Sequence, residues 1–479
     1  MSILAERTAR LLGAAILVVT CVTAVLSPAV PWWLTASAAI VCATALWRTD
    51  WALVALLALA PWGARLATVP VRATEFLCAA FLIGWLLRLD RPLRLAGRGA
   101  LTSALAGGVY ALLAAISWGR LAFQASPDTG WARVLDALRI LPADYLVTAG
   151  RDPHTAAALQ IMLGVVLCCA ASTIIARDGA VRGRLMAVIA LVGVVAAAAT
   201  IVAVPIRYWL TDDTNELIRY FVSTRSRYSF HVPDVNAAGS HFILSGLLLL
   251  GVAAVARRRV LQWMGIVIVA AALWICGSRT AMAAGAMLLA FWFSGWRLAQ
   301  SGWRWPAMTT RTIGAVAGGA LLVLALSPVV LGSASAMSGS ASRSMSVREE
   351  FLVTSTRMLS TAPVLGVGVG TYYQRSSEFM PPGIRALYGK ENAHDYYMQT
   401  AAELGIVGVV ALVAWLGLAL APLWRAVGAS WGPTPAFALL LGCVGFLLTC
   451  ITGHPFLVVE VSVPFWAALG IAMSAESRA

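Results

Sequence analysis

Charge is scarce in this sequence. Asp, Glu, Lys and Arg make up only 12% of its 479 residues, 60% are hydrophobic, and Lys390 is the only lysine. Soluble domains carry about a quarter charged residues, so a soluble enzyme with a single anchor is excluded. Metal-holding patterns such as HxH or HExxH are missing, as are a P-loop and a Rossmann glycine fingerprint. With no nucleotide-binding domain in sight, an ATP-driven transporter and a nucleotide-sugar synthase are disfavoured. The eight cysteines (Cys21, Cys42, Cys78, Cys168, Cys169, Cys276, Cys443 and Cys450) all sit inside apolar runs without metal-site spacing. They read as small packing residues, and neither a disulfide nor a metal cluster is expected. No metal or cofactor enters the reading.

What is present is apolar sequence, in runs of the roughly 17 to 25 residues needed to cross a hydrocarbon core. The runs predict an all-α polytopic membrane protein, a single integral membrane domain over 1–479 with about fourteen crossings. Their centres lie near Val19, Ala39, Leu57, Phe81, Leu112, Val165, Val194, Leu247, Val267, Met287, Leu322, Leu412, Leu441 and Ala467. Arg7 and Arg10 before the first run resemble a secretory signal, but the succession of later runs favours an uncleaved first helix. Short connectors carrying Arg48, Arg88 to Arg98, Arg177 to Arg184, Arg257 to Arg259, Arg297 to Arg311, and Arg425 fall on alternate sides. By the positive-inside bias that side is the cytoplasm, and both termini join it.

The long connectors, roughly 119 to 154, 205 to 236 and 332 to 395, then all face outward, and function belongs there. The net charge of +14 is almost wholly arginine. In such a chain it is a topology signal and does not imply nucleic acid. Arginine in place of lysine reflects either a GC-rich genome or bidentate phosphate binding. Arg207, Arg219, Arg225 and Arg227 lie in the second connector, and Arg343, Arg348, Arg357, Arg375 and Arg385 in the third. An outward arginine-lined basin suits an anionic ligand; taken singly, most of these arginines suit lipid headgroups better.

The third connector, 332–395, is expected to be a large periplasmic loop with short helices. Residues 332 to 346 are Gly- and Ser-rich and predict a flexible exit from the eleventh span. Val347 to Leu359 keeps helical spacing, with an apolar face able to lie on the membrane and a polar face bearing Arg348, Glu349 and Thr356. Pro363 and the run Gly366 to Gly370 end that helix. Asn392 is expected to cap the next helix, with His394 and Asp395 in its first turn and Gly405 as a stop or kink. There the helix dipole disfavours the imidazolium while Asp395 favours it. Farther back, Gly277-Ser278-Arg279-Thr280 predicts a tight outer turn. A charge near the hydrocarbon costs up to about 2.5–3.5 kcal/mol at a helix centre, so Arg279 requires lipid phosphate, a ligand phosphate or a buried partner.

Together these segments resemble the O-antigen ligase and O-antigen polymerase superfamily of bacterial membrane glycosyltransferases. The resemblance is strongest from Ile275 to Gly408. It rests on Gly277-Ser278-Arg279-Thr280-Ala281, on Arg348 followed by Ala362 to Gly370, and on Asn392-Ala393-His394-Asp395-Tyr396-Tyr397 with Glu403 to Gly408. Pro233-Asp234-Val235-Asn236 also looks like the superfamily's pre-helix asparagine. Two positions depart from the pattern: Asp395 stands where Asn is usual, and Leu352 where Trp is.

The resemblance implies transfer of a glycan from undecaprenyl diphosphate to an acceptor hydroxyl at the periplasmic side of the bacterial inner membrane, without metal or nucleotide sugar. A diphosphate leaving group is already activated, so the protein must position it, neutralise growing charge and deprotonate the acceptor. Arg279 and Arg348 are assigned to the diphosphate, His394 to the general base, and Arg219, Arg225 and Arg227 to accessory contacts; Glu403 and the glycine run read as structural. A base opposite the leaving group implies inversion. The favoured activity is polymerisation of O-antigen or exopolysaccharide repeat units, with a lipid-linked glycan as acceptor and a chain-length regulator as possible partner. The alternatives are a ligase acting on lipid A core, in lipopolysaccharide assembly, and, in another class, a lipid-linked glycan transporter or flippase.

Overall fold

The structure, a computed structural model, describes residues 3–27, 29–66, 72–90, 93–95, 97–124, 153–211, 227–255, 259–301, 339–429 and 432–475. All regular structure among them is helical, with no strand. The helices are α1 (Ile3–Val25), α2 (Trp32–Trp47), α3 (Thr49–Leu59), α4 (Gly63–Leu66), α5 (Ala73–Leu87), α6 (Gly97–Gln124), α7 (Pro153–Arg177), α8 (Ala180–Thr211) and α9 (Val235–Val255). They continue as α10 (Arg259–Cys276), α11 (Arg279–Gln300), α12 (Gly339–Thr361), α13 (Tyr372–Phe379), α14 (Pro382–Tyr388), α15 (Tyr396–Ala429), α16 (Pro435–Thr449) and α17 (Val459–Met473). Each expected span centre falls inside a helix except Leu322, which lies outside the described residues, as do Arg219 and Arg225. Five helices, α6, α7, α8, α9 and α15, are long and apolar enough to cross a bilayer by themselves.

The shorter apolar helices have a physical reason for their length. At 1.5 Å per residue, the 15 residues of α17 reach about 22 Å, less than a hydrocarbon core of about 30 Å. Every residue of α17 except Glu460 in its first turn is buried, so beyond that turn the helix is enclosed by protein on all sides. Non-helical backbone at membrane depth is tolerated where protein covers it, which allows the irregular stretch 450–458 between α16 and α17. Beneath that stretch Trp466 stacks on Trp415, with centroids 5.1 Å apart and planes at 16°. Both indoles need glycine opposite them. A Cβ on Gly107 of α6 would lie 2.8 Å from Trp415, and one on Gly164 of α7 would lie 2.6 Å from Trp466. Phe456 continues the stack, 4.7 Å from Trp466, and touches Tyr396 at 4.9 Å. An aromatic column thus joins the bundle core to the start of α15.

The two ends of the bundle differ in kind. At one end short basic connectors knit together. Arg184 pairs with Asp50 at 2.9 Å, Arg48 with Asp50 at 3.2 Å, Arg182 donates to the Ser474 carbonyl at 2.6 Å, and Arg88 to the Trp47 carbonyl at 3.0 Å. At the other end lie residues 60–66, the end of α6, the start of α7, loop 227–234, and the segment 339–405. Arg65 donates to the Phe230 carbonyl there, and Phe230 N–H to Thr200 at 3.2 Å.

The segment 339–405 departs from expectation in two respects. Helix α12 begins at Gly339, well inside the stretch expected to be a flexible exit. Its apolar face meets protein, not a membrane surface: Phe351 is buried with Met380 and Ile384, and Met358 with Tyr372 and Ala402. The glycine run then docks this segment on the bundle. Gly366, Gly368 and Gly370 all have positive φ, and a Cβ on Gly366 would collide with the Glu403 backbone. Val367 and Gly368 N–H donate to the carbonyls of Ala402 and Glu403, both at 2.9 Å. The Glu403 carboxylate accepts from Gly370 N–H at 2.9 Å and Tyr372 N–H at 3.1 Å. Ser117 of α6 accepts from Val369 N–H at 3.0 Å, and His154 of α7 bonds the Val369 carbonyl at 3.0 Å. Gly405, with φ of 72°, kinks α15 just beyond this dock. Glu403→Ala leaves two buried N–H donors unmatched, at about 1–3 kcal/mol each. Its thermal unfolding midpoint in detergent should fall clearly below that of Glu403→Gln, which keeps an acceptor oxygen.

Candidate functional site

Five segments far apart in sequence converge beside this dock: loop 227–234, the turn before α11, α12, the hinge 391–395, and the stretch 450–458. Each is placed by local chemistry. Gly277, with φ of 61°, ends α10, and the Ser278 carbonyl accepts from Met282 N–H at 2.9 Å, so α11 starts on Arg279. Thr280 and Thr452 are hydrogen bonded at 2.6 Å, tying that turn to 450–458. Tyr228 N–H donates to the Ile275 carbonyl at 3.3 Å, bringing loop 227–234 against the same turn. Arg348 lies three residues before Phe351 on α12 and so shares its face. The Phe351 ring packs on His394, centroids 5.1 Å apart, which sets Arg348 towards the histidine.

His394 is the only non-glycine residue with positive φ among the described residues, at 52°. Histidine enters the left-handed region more readily than most side chains, yet such backbone is uncommon and concentrates at functional sites. The hinge is held from behind: Tyr396 N–H reaches the carbonyls of Cys450 at 2.9 Å and Gly453 at 3.2 Å. The helix begins later than the sequence suggests. Asp395, not Asn392, caps α15, its carboxylate accepting from Met398 N–H at 3.0 Å, and His394 precedes the first turn. A capping residue needs an acceptor oxygen, and aspartate and asparagine supply it equally. Asp395 in the place of the superfamily's asparagine is therefore a conservative exchange. Burial pushes its carboxyl up to about 7, with the bonds from Met398 and Tyr397 N–H opposing.

The electrostatics are those of uncompensated cations. Arg348 is held below the usual guanidinium range by burial and by the charges of Arg227 and Arg279. Arg227 is lowered by burial, with Asp234 opposing and Arg279 adding to the fall. It also donates to Asn236 Oδ1 at 2.5 Å. Among the described residues neither Arg279 nor Arg348 has a carboxylate partner. Other arginines of the third connector are occupied locally: Arg375 pairs with Glu378 at 3.0 Å, and Arg357 and Arg385 donate to the carbonyls of Phe379 and Met380. His394 is brought down to about 4, first by burial, then by His454, Arg348 and Arg227, with Asp234 opposing. The ring is therefore neutral at pH 7 and has a free lone pair for a proton. Asp395, turned into its helix cap, is not among the groups that tune it.

The geometry thus brings together Arg279, Arg348 and His394, with Arg227 as a third guanidinium. Arg219 and Arg225 lie outside the described residues. Two participants were not singled out from sequence. His454 stands beside His394, ring centroids 5.3 Å apart, and its Nε2 lies 3.4 Å from Asp234 Oδ2. Asp234 meanwhile caps α9 through Oδ1, accepting from Asn236 and Ala237 N–H at 2.8 and 3.1 Å. The signal for His454 was Gly453-His454-Pro455, a break between two apolar runs on the outer side.

These features define an integral membrane protein of helices that carries, on connectors at one end, an anion-receptive cluster of arginines and imidazoles. Residues 264–413 match the family described as O-Antigen ligase, and the similarity is confined to that part of the chain. Arg279, Arg348 and His394 fall within the match, whereas Arg227, Asp234 and His454 fall outside it. No curated protein matches the chain. Asp395→Asn should leave thermal stability and the His394 titration, followed by histidine NMR, close to wild type. Asp395→Ala should lower stability by about 0.5–2 kcal/mol through loss of the cap.

Proposed function

We propose that the protein is a glycosyltransferase that moves a glycan from undecaprenyl diphosphate to an acceptor sugar hydroxyl on the periplasmic side of the inner membrane. The observation that carries the reading is a cluster of three mutually interacting guanidinium groups, two without a carboxylate partner among the described residues, of which Arg348 and Arg227 act on one neutral imidazole. Guanidinium forks match diphosphate oxygens two at a time. Cations placed in advance, Arg348 partly out of water, stabilise the charge that grows on a leaving diphosphate. His394 takes the acceptor proton as the acceptor oxygen attacks the anomeric carbon from the face opposite the diphosphate, which inverts that centre. The arginines supply the positive charge that the leaving group needs, so the scheme requires no metal.

An apolar cleft of about 730 Å³ between α9, α10 and α11, lined by Phe242, Leu247, Ile266, Leu273, Met282 and Leu289 among others, supports a lipid-linked donor. Met282 lies one helical turn beyond Arg279, so a polyprenyl chain there would leave its diphosphate beside the arginines. The connector ends with Arg48, Arg88, Arg182 and Arg184 are assigned to the cytoplasm by the positive-inside bias, and the site to the opposite side.

His394→Ala should abolish glycan transfer while the protein remains folded and inserted. Arg279→Ala and Arg348→Ala should each weaken donor binding roughly ten- to hundredfold, the worth of about 1.5–3 kcal/mol for hydrogen bonds to a charged group. Donor affinity unchanged in both arginine variants, or full transfer by the histidine variant, would refute these assignments. In wild type the rate should hold from neutral pH downward and fall only towards pH 4, as His394 takes up its proton.

Polymerisation of lipid-linked repeat units is the favoured form of the activity. Purified lipid-linked repeat alone should then give a ladder of longer products. Product only after lipid A core is added would identify a ligase instead.

A further inference from the structure

One cluster of titratable side chains beside the site has no part in the proposed transfer. His454 sits on the stretch 450–458, which is fastened to both halves of the site: to the arginine turn through Thr452 and Thr280, and to the histidine hinge through the Gly453 carbonyl and Tyr396 N–H. Its Nε2 faces the Asp234 carboxylate at 3.4 Å. Its Nδ1 is buried and, among the described residues, has no hydrogen-bond partner. An Nε2–H directed at Asp234 fixes the tautomer and leaves the Nδ1 lone pair ready for a proton, and the facing carboxylate stabilises the imidazolium that results.

We propose that His454, oriented by Asp234, is the positioning partner of His394, and that the two imidazoles share the proton removed from the acceptor. The inference rests on the glycan-transfer reading of the site. As the acceptor oxygen bonds to the anomeric carbon, the bond from that carbon to the diphosphate oxygen breaks. The electron pair departs with the diphosphate, and the hydroxyl proton moves to His394. Left there, the charge is opposed by Arg348 on α12 and Arg227 before α9. On His454 burial still disfavours the charge and holds the ring below its ordinary value, but Asp234 and Glu391 oppose that and no guanidinium adds to it. From the His454–Asp234 pair, whose carboxylate is partly exposed, the proton passes to solvent water, and both rings return to neutral. Two imidazoles 5.3 Å apart cannot both hold a proton readily, so the pair titrates as a unit.

The charge and the cap of Asp234 can be separated, because asparagine caps a helix as well as aspartate does. Asp234→Asn should keep α9 in place, lower the titration of His394 in 15N-histidine NMR of the full chain in nanodiscs, and shift the acidic limb of the rate–pH profile to lower pH. Its kcat should fall roughly ten- to hundredfold with donor KM unchanged, short of the 10²–10⁴ that a general base supplies. His454→Gln removes a like charge, so the His394 titration and the acidic limb should move up while kcat falls by a similar factor. His394 titrating as in wild type in both variants would overturn the pair, as would rate–pH profiles that superimpose on wild type. If wild type transfers nothing from lipid-linked donor, the proposed reaction fails, and the NMR titration still decides whether His454 and Asp234 govern His394.

Discussion

A buried carboxylate sets the position of everything that bears on the site. Glu403 lies within α15 and accepts the N–H groups of Gly370 and Tyr372, and its own carbonyl accepts Gly368 N–H. Those bonds convert a glycine-rich stretch with no side chains to pack into a fixed platform, since a backbone buried without partners would forfeit several hydrogen bonds. From that platform α12 is laid back over the hinge, and Phe351 presses on His394. The arginine on α12 and the histidine before α15 meet because one glutamate anchors the chain between them.

The aromatic column and the short α17 serve the same end from below. A short helix enclosed beyond its first turn leaves room at its upper end for the stretch 450–458, whose carbonyls hold Tyr396 N–H and whose His454 stands against His394. Glycines facing Trp415 and Trp466 let four helices approach this column closely. Packing of this density is barely compressible and holds the hinge above it in one place.

Much of the fold was legible in the sequence because the membrane reduces it to one variable: apolar runs separated by charge gave a helix at every span centre that the structure describes. The candidates Arg279, Arg348 and His394 came from motif spacing and superfamily resemblance, and the structure brings Arg348 and His394 to the same place. The start of α15 was misjudged because Asn392 and Asp395 are both good caps, and only the turn of Asp395 towards Met398 N–H distinguishes them. The early start of α12 runs against the expectation because glycine and serine have poor helix propensity. His454 and Asp234 lie about two hundred residues apart, and no local pattern links a residue between two late spans to one that caps an earlier helix.

The left-handed backbone of His394 has a consequence for how the site can vary. At φ of 52° glycine and asparagine are at ease, and β-branched side chains are strongly disfavoured. The position is thereby closed to most of the genetic code for conformational reasons alone. A drift away from histidine would be channelled towards a few small or amide residues that preserve the shape of the hinge while silencing its chemistry.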